Sequence, residues 1–202
     1  MKKDFSFYEF VGILVPGVTL LFFSEIVIEL TYKQVIVDFS KVGESFIFLI
    51  IAYGVGQILH AVGNLFEYGF WVIYGGMPTV WLNKKNRFGN ELFEKDQKEK
   101  ITQKIVHQFG EVPLKDYRKY VYNWLCLKEN ITEKRIDVFN ANYSQFRGLT
   151  VTFYILSLIV LFFLGWKLAL VSFTIGLLSN YRMIRFAKLY ALELFLTYLN
   201  LE

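Results

Sequence analysis

The chain has 202 residues, of which 54% are apolar, 20% are charged and 19% are aromatic, and its formal net charge is +4. Its mean hydropathy is +0.37. A soluble domain usually has about 45–50% apolar residues and about a quarter charged residues. This composition excludes a disordered chain and a collagen-like chain, and the single cysteine, Cys126, excludes a disulfide scaffold. The small net charge does not indicate a nucleic-acid binder, whereas the long apolar runs favour a membrane protein.

Four apolar stretches are candidates for helices that cross a bilayer, which takes roughly 20 apolar residues. They run over residues 7–30, 45–66, 148–166 and 168–181. The fourth is short for a span, unless Lys167 extends its ammonium group to the interface and the helix continues past Arg182. Gly165, Trp166 and Lys167 predict a tight turn between the last two spans. No small-residue cleavage motif follows the first stretch, so we expect it to remain as an anchor.

The charged region between the second and third spans predicts a helical insert outside the membrane. Residues 68–82 are apolar but interrupted by glycines and Pro78, so we expect an interfacial or re-entrant segment there. Residues 91–109 predict a charged helix that ends at Gly110. A second helix follows Pro113, because apolar residues recur there at helical spacing: Tyr117, Tyr120, Val121, Trp124 and Leu125. A third helix is predicted to start near Glu133 and to continue into the third span.

The tail after Tyr181 predicts an amphipathic helix with one broad apolar side. This helix either lies along the cytoplasmic leaflet or packs on the insert, and the pattern favours neither. The predicted fold class is therefore all-α, with four transmembrane helices, a cytoplasmic helical insert and a C-terminal amphipathic helix. The predicted organisation is a first hairpin (1–66), an interfacial segment with the insert (67–147), a second hairpin (148–181) and the tail helix (182–202).

The distribution of basic residues predicts the orientation, because cytoplasmic loops of membrane proteins carry an excess of Lys and Arg. Of the 22 Lys and Arg residues, all but Lys33, Lys41 and Lys167 lie in the N-terminus, in the segment 67–147 or in the tail. We therefore expect both termini and the insert to face the cytoplasm. An even number of spans agrees with this orientation.

Polar side chains recur at heptad spacing along one face of the second span: Tyr53, Gln57, His60, Asn64 and Glu67. The neighbouring Ala52, Gly56 and Gly63 are small, which allows another backbone to approach. A polar group that faces lipid is costly when it is unsatisfied. The face therefore packs in a four-helix core, forms an oligomer interface or lines an aqueous path. His60 is the ionisable residue in the charge-free stretch, where an imidazole can hold helices together, relay protons or gate a path.

Charged residues at the ends of the spans have simpler interpretations. Arg147 enters the membrane with the third span, and Arg182 and Arg185 follow the fourth. We interpret these arginines as interfacial charges that extend to lipid phosphates. The alternative for Arg147 is an ion pair with Glu67, which we expect at the same depth. At the outer end of the first span, the charged residues are interpreted as an interfacial cap rather than a site: Glu25, Glu29 and Lys33.

Signatures of an enzyme are absent from the sequence. It has no phosphate-binding loop, no dinucleotide glycine fingerprint, no nucleophile elbow and no metal-spaced cluster. Its two histidines, His60 and His107, lie far apart. We therefore expect no catalytic residue, no metal and no cofactor. Basic residues of the insert alternate with acidic ones, which is typical of a solvated surface, and contact with RNA is left open.

Four segments carry a resemblance to a known family: FYEFVGILVPG (7–17), IAYGVGQILHAVGN (51–64), NANYSQFRGL (140–149) and RMIRFAKLYALELF (182–195). The chain resembles small four-span bacterial membrane proteins, some of which are encoded beside the RNA-guided RNA nucleases of type VI-B CRISPR systems. The resemblance implies a membrane accessory that modulates a cytoplasmic antiviral effector. A sister group is thought to form membrane pores and to carry a HEPN-like motif. No Arg is followed within a few residues by His in this sequence, so RNase activity is not carried over.

The leading hypothesis is an integral membrane accessory of antiphage defence, in contact with lipid, homo-oligomeric, and acting on a cytoplasmic CRISPR effector protein. The first alternative is an oligomeric pore or channel lined by Gln57, His60 and Asn64. The second alternative is a membrane-embedded enzyme that uses His60 and Glu67. It requires both side chains to converge on one cavity.

Overall fold

The computed structural model describes residues 7–37, 41–82, 91–128 and 133–201. Within these ranges the regular structure is entirely helical and contains no strand, so the all-α prediction is confirmed. The helices are α1 (Phe7–Tyr32), α2 (Val42–Tyr74), α3 (Lys95–Phe109), α4 (Tyr117–Lys128), α5 (Glu133–Phe163) and α6 (Trp166–Asn200). Two short 3-10 turns, Pro78–Val80 and Leu114–Asp116, precede α3 and α4 respectively.

Three helices are long and apolar enough to cross a membrane. The candidate segments are Gly12–Tyr32 in α1, Val42–Tyr74 in α2 and Arg135–Phe163 in α5. α6 has 35 residues, but among the described residues it is not apolar enough to count as a fourth candidate. Its apolar stretch is bounded by Lys167 and Arg182, and the helix continues without a break to Asn200. Three candidate spans are therefore present where the sequence predicted four.

The chain divides into two compact units, each built from two separate segments. The first unit comprises Met1–Glu67 and Ala141–Met183, and the second comprises Tyr68–Asn140 and Ile184–Glu202. The division falls inside α2, α5 and α6, so each of these helices contributes residues to both units.

In the first unit, small residues bring α1 close to α2 and α5. A Cβ atom at Gly17 would overlap the Ala52 carbonyl group, and one at Gly56 would overlap the carbonyl group of Ile13. A Cβ atom at Gly148 would lie 2.8 Å from Cγ of Pro16, which lies inside α1. Only glycine fits at such approaches of one helix to another.

The second unit has its own hydrophobic core. Glu94 and Gln97 form a capping box at the start of α3, and Gly110, with a φ of 76°, ends the helix. The predicted end of this helix is confirmed, and its start lies at Lys95 instead of residue 91 because Glu94 is the cap. The residues of the core are Leu82, Phe93, Ile101, Ile105, Tyr117, Val121, Leu125, Ile136, Tyr190, Leu194, Phe195 and Tyr198.

The C-terminal part of α6 packs in this core with α3 and α4. Tyr198 is fully buried, and its hydroxyl donates a hydrogen bond to Gln108 Oε1 at 2.8 Å. Lys104 Nζ donates to the carbonyl oxygens of Tyr198 at 2.9 Å, of Leu199 at 3.3 Å and of Leu201. The described residues therefore show the tail packed on α3 and α4.

Other predictions for the insert and the turn have clear outcomes. The apolar stripe of α4 is buried at Tyr117, Val121 and Leu125, whereas Tyr120 is 42% exposed. The helix predicted to start near Glu133 continues into the third apolar stretch as one helix, α5, as predicted. The predicted turn is confirmed at Gly165, which has a φ of 95°, whereas Trp166 and Lys167 already belong to α6.

Candidate functional site

Arg147 of α5 is the centre of a polar cluster inside the first unit. Its side chain is 9% exposed, and Nη1 donates to Glu67 Oε2 of α2. Nη2 lies 2.7 Å from His60 Nε2, and the guanidinium lies 5.8 Å from the centroid of the Tyr143 ring. Ser144 Oγ lies 3.4 Å from His60 Nδ1. We call these five residues the Arg147 cluster.

Helical periodicity explains why these residues meet. His60 and Glu67 are seven residues apart on α2, which is about two helical turns, so they share one face. Gly63 lies between them on that face, and a Cβ atom there would lie 3.4 Å from both Cγ and Nε of Arg147. The missing side chain at Gly63 thus leaves room for the stem of the arginine. On α5, Tyr143 and Arg147 are separated by one turn.

The contacts define the protonation of His60. An arginine guanidinium carries donors only and stays charged in proteins, so His60 Nε2 must accept its hydrogen bond. A ring that accepts at Nε2 and remains neutral carries its proton on Nδ1. Nδ1 then donates to Ser144 Oγ. This arrangement leaves no ring nitrogen free to take a proton from Ser144.

The buried positive charge of Arg147 is compensated within the cluster. The carboxylate of Glu67, whose side chain is 21% exposed, neutralises the guanidinium. Nε of Arg147 is buried without a hydrogen-bond partner. A buried ion pair is costly to desolvate and is strongly destabilised when one partner is removed. The cluster therefore fixes the registration of α2 against α5.

The structure brings together only some of the residues predicted to form one polar face. Tyr53 stacks on Phe10 with ring centroids 5.6 Å apart, and its hydroxyl accepts a hydrogen bond from Gln57 Nε2 at 3.0 Å. Gln57 and Asn64 are exposed. At about 100° per residue, Tyr53, His60 and Glu67 lie within about 40° of one another, and Gln57 and Asn64 lie on average about 50° to one side of them. The heptad pattern therefore combined two neighbouring faces of α2.

The predicted interfacial charges also have separate outcomes. The interpretation that Arg147 extends to lipid phosphate is wrong, because the residue is 7% exposed and is paired with Glu67, as the alternative proposed. Arg182 is exposed, with its guanidinium 5.4 Å from the Phe146 ring centroid, and Arg185 is exposed as well. Glu25 accepts hydrogen bonds from the backbone N–H groups of residues 36 and 37 at 2.6 and 3.1 Å, and the interfacial position of this charged group stays a prediction.

Sequence reasoning missed the contribution of Ser144. Its spacing of three residues from Arg147 places both on adjacent positions of one helical surface, and this is the signal that could have identified it. Across the described ranges, no group of three His, Cys, Asp or Glu residues is arranged to hold a metal ion.

These features define a helical protein with three helices able to cross a membrane and a buried arginine cluster between two of them. Comparisons with protein-family models, with curated proteins and with solved structures gave no match to this chain.

Proposed function

We propose that this chain is a four-span protein of the bacterial inner membrane, and that it modulates a cytoplasmic RNA-targeting effector of antiphage defence. Its second unit would face the cytosol and present the surface that acts on the effector. The resemblance of the spans and tail to accessories of type VI-B CRISPR systems suggests this class of effector.

The packing of α6 in the second unit is the observation that carries the four-span topology. Tyr198 and Phe195 of α6 are buried in the same core as Ile101 of α3 and Val121 of α4. The end of α6 therefore belongs on the same side of the membrane as the insert. After α5 has crossed the bilayer, α6 has to return through it, because three crossings would leave the chain on the opposite side.

The charge distribution supports a cytosolic position for the second unit. Exposed cations occur along α3 and the start of α4, including Lys95, Lys100, Arg118 and Lys119. Such an excess of basic residues is typical of the cytoplasmic side. The apolar side chains between Lys167 and Arg182 are largely exposed in the single chain, as expected for a helix that meets lipid.

Labelling of single cysteines in intact cells tests the topology. In a Cys126→Ser background, a membrane-impermeant maleimide added outside the cells should label Val35→Cys. Val35 follows α1 and is 64% exposed. Lys100→Cys in α3 and Asn200→Cys at the end of α6, both exposed, should react only after lysis. Labelling of Asn200→Cys but not Lys100→Cys from outside would overturn the four-span arrangement.

A phage-plating assay tests the role in defence. We expect that adding the chain to cells with a type VI-B RNA-guided nuclease and a targeting guide changes the plating efficiency of the targeted phage. With a non-targeting guide, the chain should have no effect. Equal plating with and without the chain, or protection by the chain alone, would contradict an accessory role.

An oligomeric pore is the second candidate function, because two polar residues of α2 are exposed. Gln57 and Asn64 lie on the outer surface of a helix able to cross a membrane. In liposomes, a pore predicts ion flux that Asn64→Leu reduces and that the neighbouring exposed Leu65→Ile leaves unchanged. His60 is a weaker candidate for the lining, since both of its ring nitrogens contact residues of α5. Liposomes without flux would exclude the pore.

A further inference from the structure

We infer that two copies of this chain meet in the membrane along the outer face of α2, through Gly54, Gln57, Ala61 and Asn64. We call these four residues the α2 seam. The inference rests on the proposed membrane location, and it adds a specific contact surface and partner, a second copy of the chain.

The α2 seam lies on the side of α2 that points away from Ala52 and Leu59, which pack inside the chain. Its members follow one another at steps of three, four and three residues, which is the spacing of a helix–helix contact. All four are exposed. By contrast, Ala52 is 0% exposed and Leu59 is 2% exposed, because the opposite face meets the other helices of the first unit.

The two carboxamides show that lipid is an unsuitable neighbour for the seam. The amide nitrogen of Gln57 donates one hydrogen bond to Tyr53, which leaves its carbonyl oxygen and a second N–H for another partner. Asn64 makes no side-chain hydrogen bond to the residues that the structure describes. Acyl chains offer neither donors nor acceptors, so these groups require a polar partner within the membrane.

A second copy of the chain meets this requirement by symmetry. Copies inserted with the same orientation place Gln57 at the same depth, so their carboxamides face each other across the axis. A carboxamide both donates and accepts, which makes each such pair self-complementary, and the seam carries no charge that would repel its copy. Nothing lies within 4 Å of a Cβ atom placed at Gly54, so a neighbouring backbone can approach there.

Disulfide cross-linking in native membranes tests the α2 seam. In a Cys126→Ser background, mild oxidation should join two copies through Ala61→Cys. The matched control is Val62→Cys, which is also exposed, at 39%, and lies at the same depth but about 100° around the helix. We expect at least about fivefold more dimer from Ala61→Cys than from Val62→Cys, and we expect Gln57→Leu to reduce this yield at equal expression.

Three results would overturn the inference. The first is equal cross-linking at both positions, which indicates random collision. The second is no dimer together with reaction of the thiol at position 61 with a charged, water-soluble reagent, which indicates an aqueous conduit. The third is no dimer and no reaction, which indicates that another membrane component or lipid covers the seam. Carbonate extraction separates this failure from failure of the proposed function, since an integral protein stays with the membrane whether or not the seam cross-links.

Discussion

Arg147 of α5 is paired with Glu67 of α2, and the two residues are 80 positions apart in the chain. The pair connects the end of the apolar part of one candidate span with the start of another. Because both side chains are largely removed from solvent, each depends on the other for compensation of its charge. The pair therefore constrains how α2 and α5 pack, and its removal should be measurable.

Removing one member of this pair should destabilise the protein more than removing both. We expect Glu67→Leu or Arg147→Met to lower the free energy of unfolding by roughly 3 kcal/mol, because each leaves an uncompensated buried charge. The double variant should recover most of that loss. Thermal unfolding of the four proteins in detergent, followed by circular dichroism, gives the coupling energy of the cycle.

An exposed ion pair supplies the control for that cycle. Lys41 and Glu44 lie 3.0 Å apart with side chains 63% and 39% exposed. Lys41→Met should change stability by less than about 0.5 kcal/mol. Strictly additive effects of Glu67→Leu and Arg147→Met would contradict the pairing.

The hydrogen bonds of His60 predict its tautomer. Nitrogen NMR of histidine-labelled protein at neutral pH should show His60 protonated at Nδ1 and not at Nε2, because Arg147 donates to Nε2. His107, which is exposed in α3, serves as the reference histidine in the same spectrum. In Arg147→Met the constraint on Nε2 is removed, so the signal of His60 should shift whereas that of His107 stays. A His60 ring protonated at Nε2 in the unsubstituted protein would be inconsistent with the cluster.

Sequence patterns predicted the helices well, because apolar periodicity and helix-breaking residues act on the local conformation of the chain. The turn at Gly165, the end of α3 at Gly110 and the continuity of α5 were all visible in the sequence. The partners of the polar residues were harder to predict, because they depend on which faces of helices far apart in the sequence meet. For Arg147 the sequence favoured lipid phosphate over Glu67, and the burial of the side chain, its ion pair and its packing at Gly63 decide for Glu67.

Close helix packing in the first unit predicts opposite effects of two Gly→Ala substitutions in α2. Gly56→Ala should lower the melting temperature by several degrees, because its new methyl group overlaps the Ile13 carbonyl and forces α1 and α2 apart. Gly69→Ala, which meets nothing within 4 Å, should be neutral or stabilising by up to about 1 kcal/mol through helix propensity. Equal losses for both variants would show that α1 does not pack at Gly56.

Burial of Tyr198 predicts a loss of stability at alkaline pH. Burial raises the pKa of Tyr198 from 10.0 to about 12. Between these two values Tyr198 loses its proton in the unfolded chain before it does so in the folded chain. The free energy of unfolding therefore falls as the pH rises from 10 towards 12, and the stabilisation is fully present below pH 10. Tyr198→Phe should flatten that slope. Urea unfolding at several pH values measures it, and Tyr120→Phe, at a 42% exposed position, should leave the slope unchanged.

The contacts of Lys104 predict that this residue holds the end of α6 in the second unit. Its ammonium group donates to carbonyl oxygens that have no partner within the helix and lies 5.1 Å from the Tyr198 ring centroid. Lys104→Met should destabilise the unit by about 1–2 kcal/mol and expose the last residues of α6 to carboxypeptidase. Lys100→Met replaces an exposed lysine about one turn earlier in α3, so it should preserve resistance to digestion. If both variants were digested at the same rate as the unsubstituted protein, Lys104 would not hold the helix end.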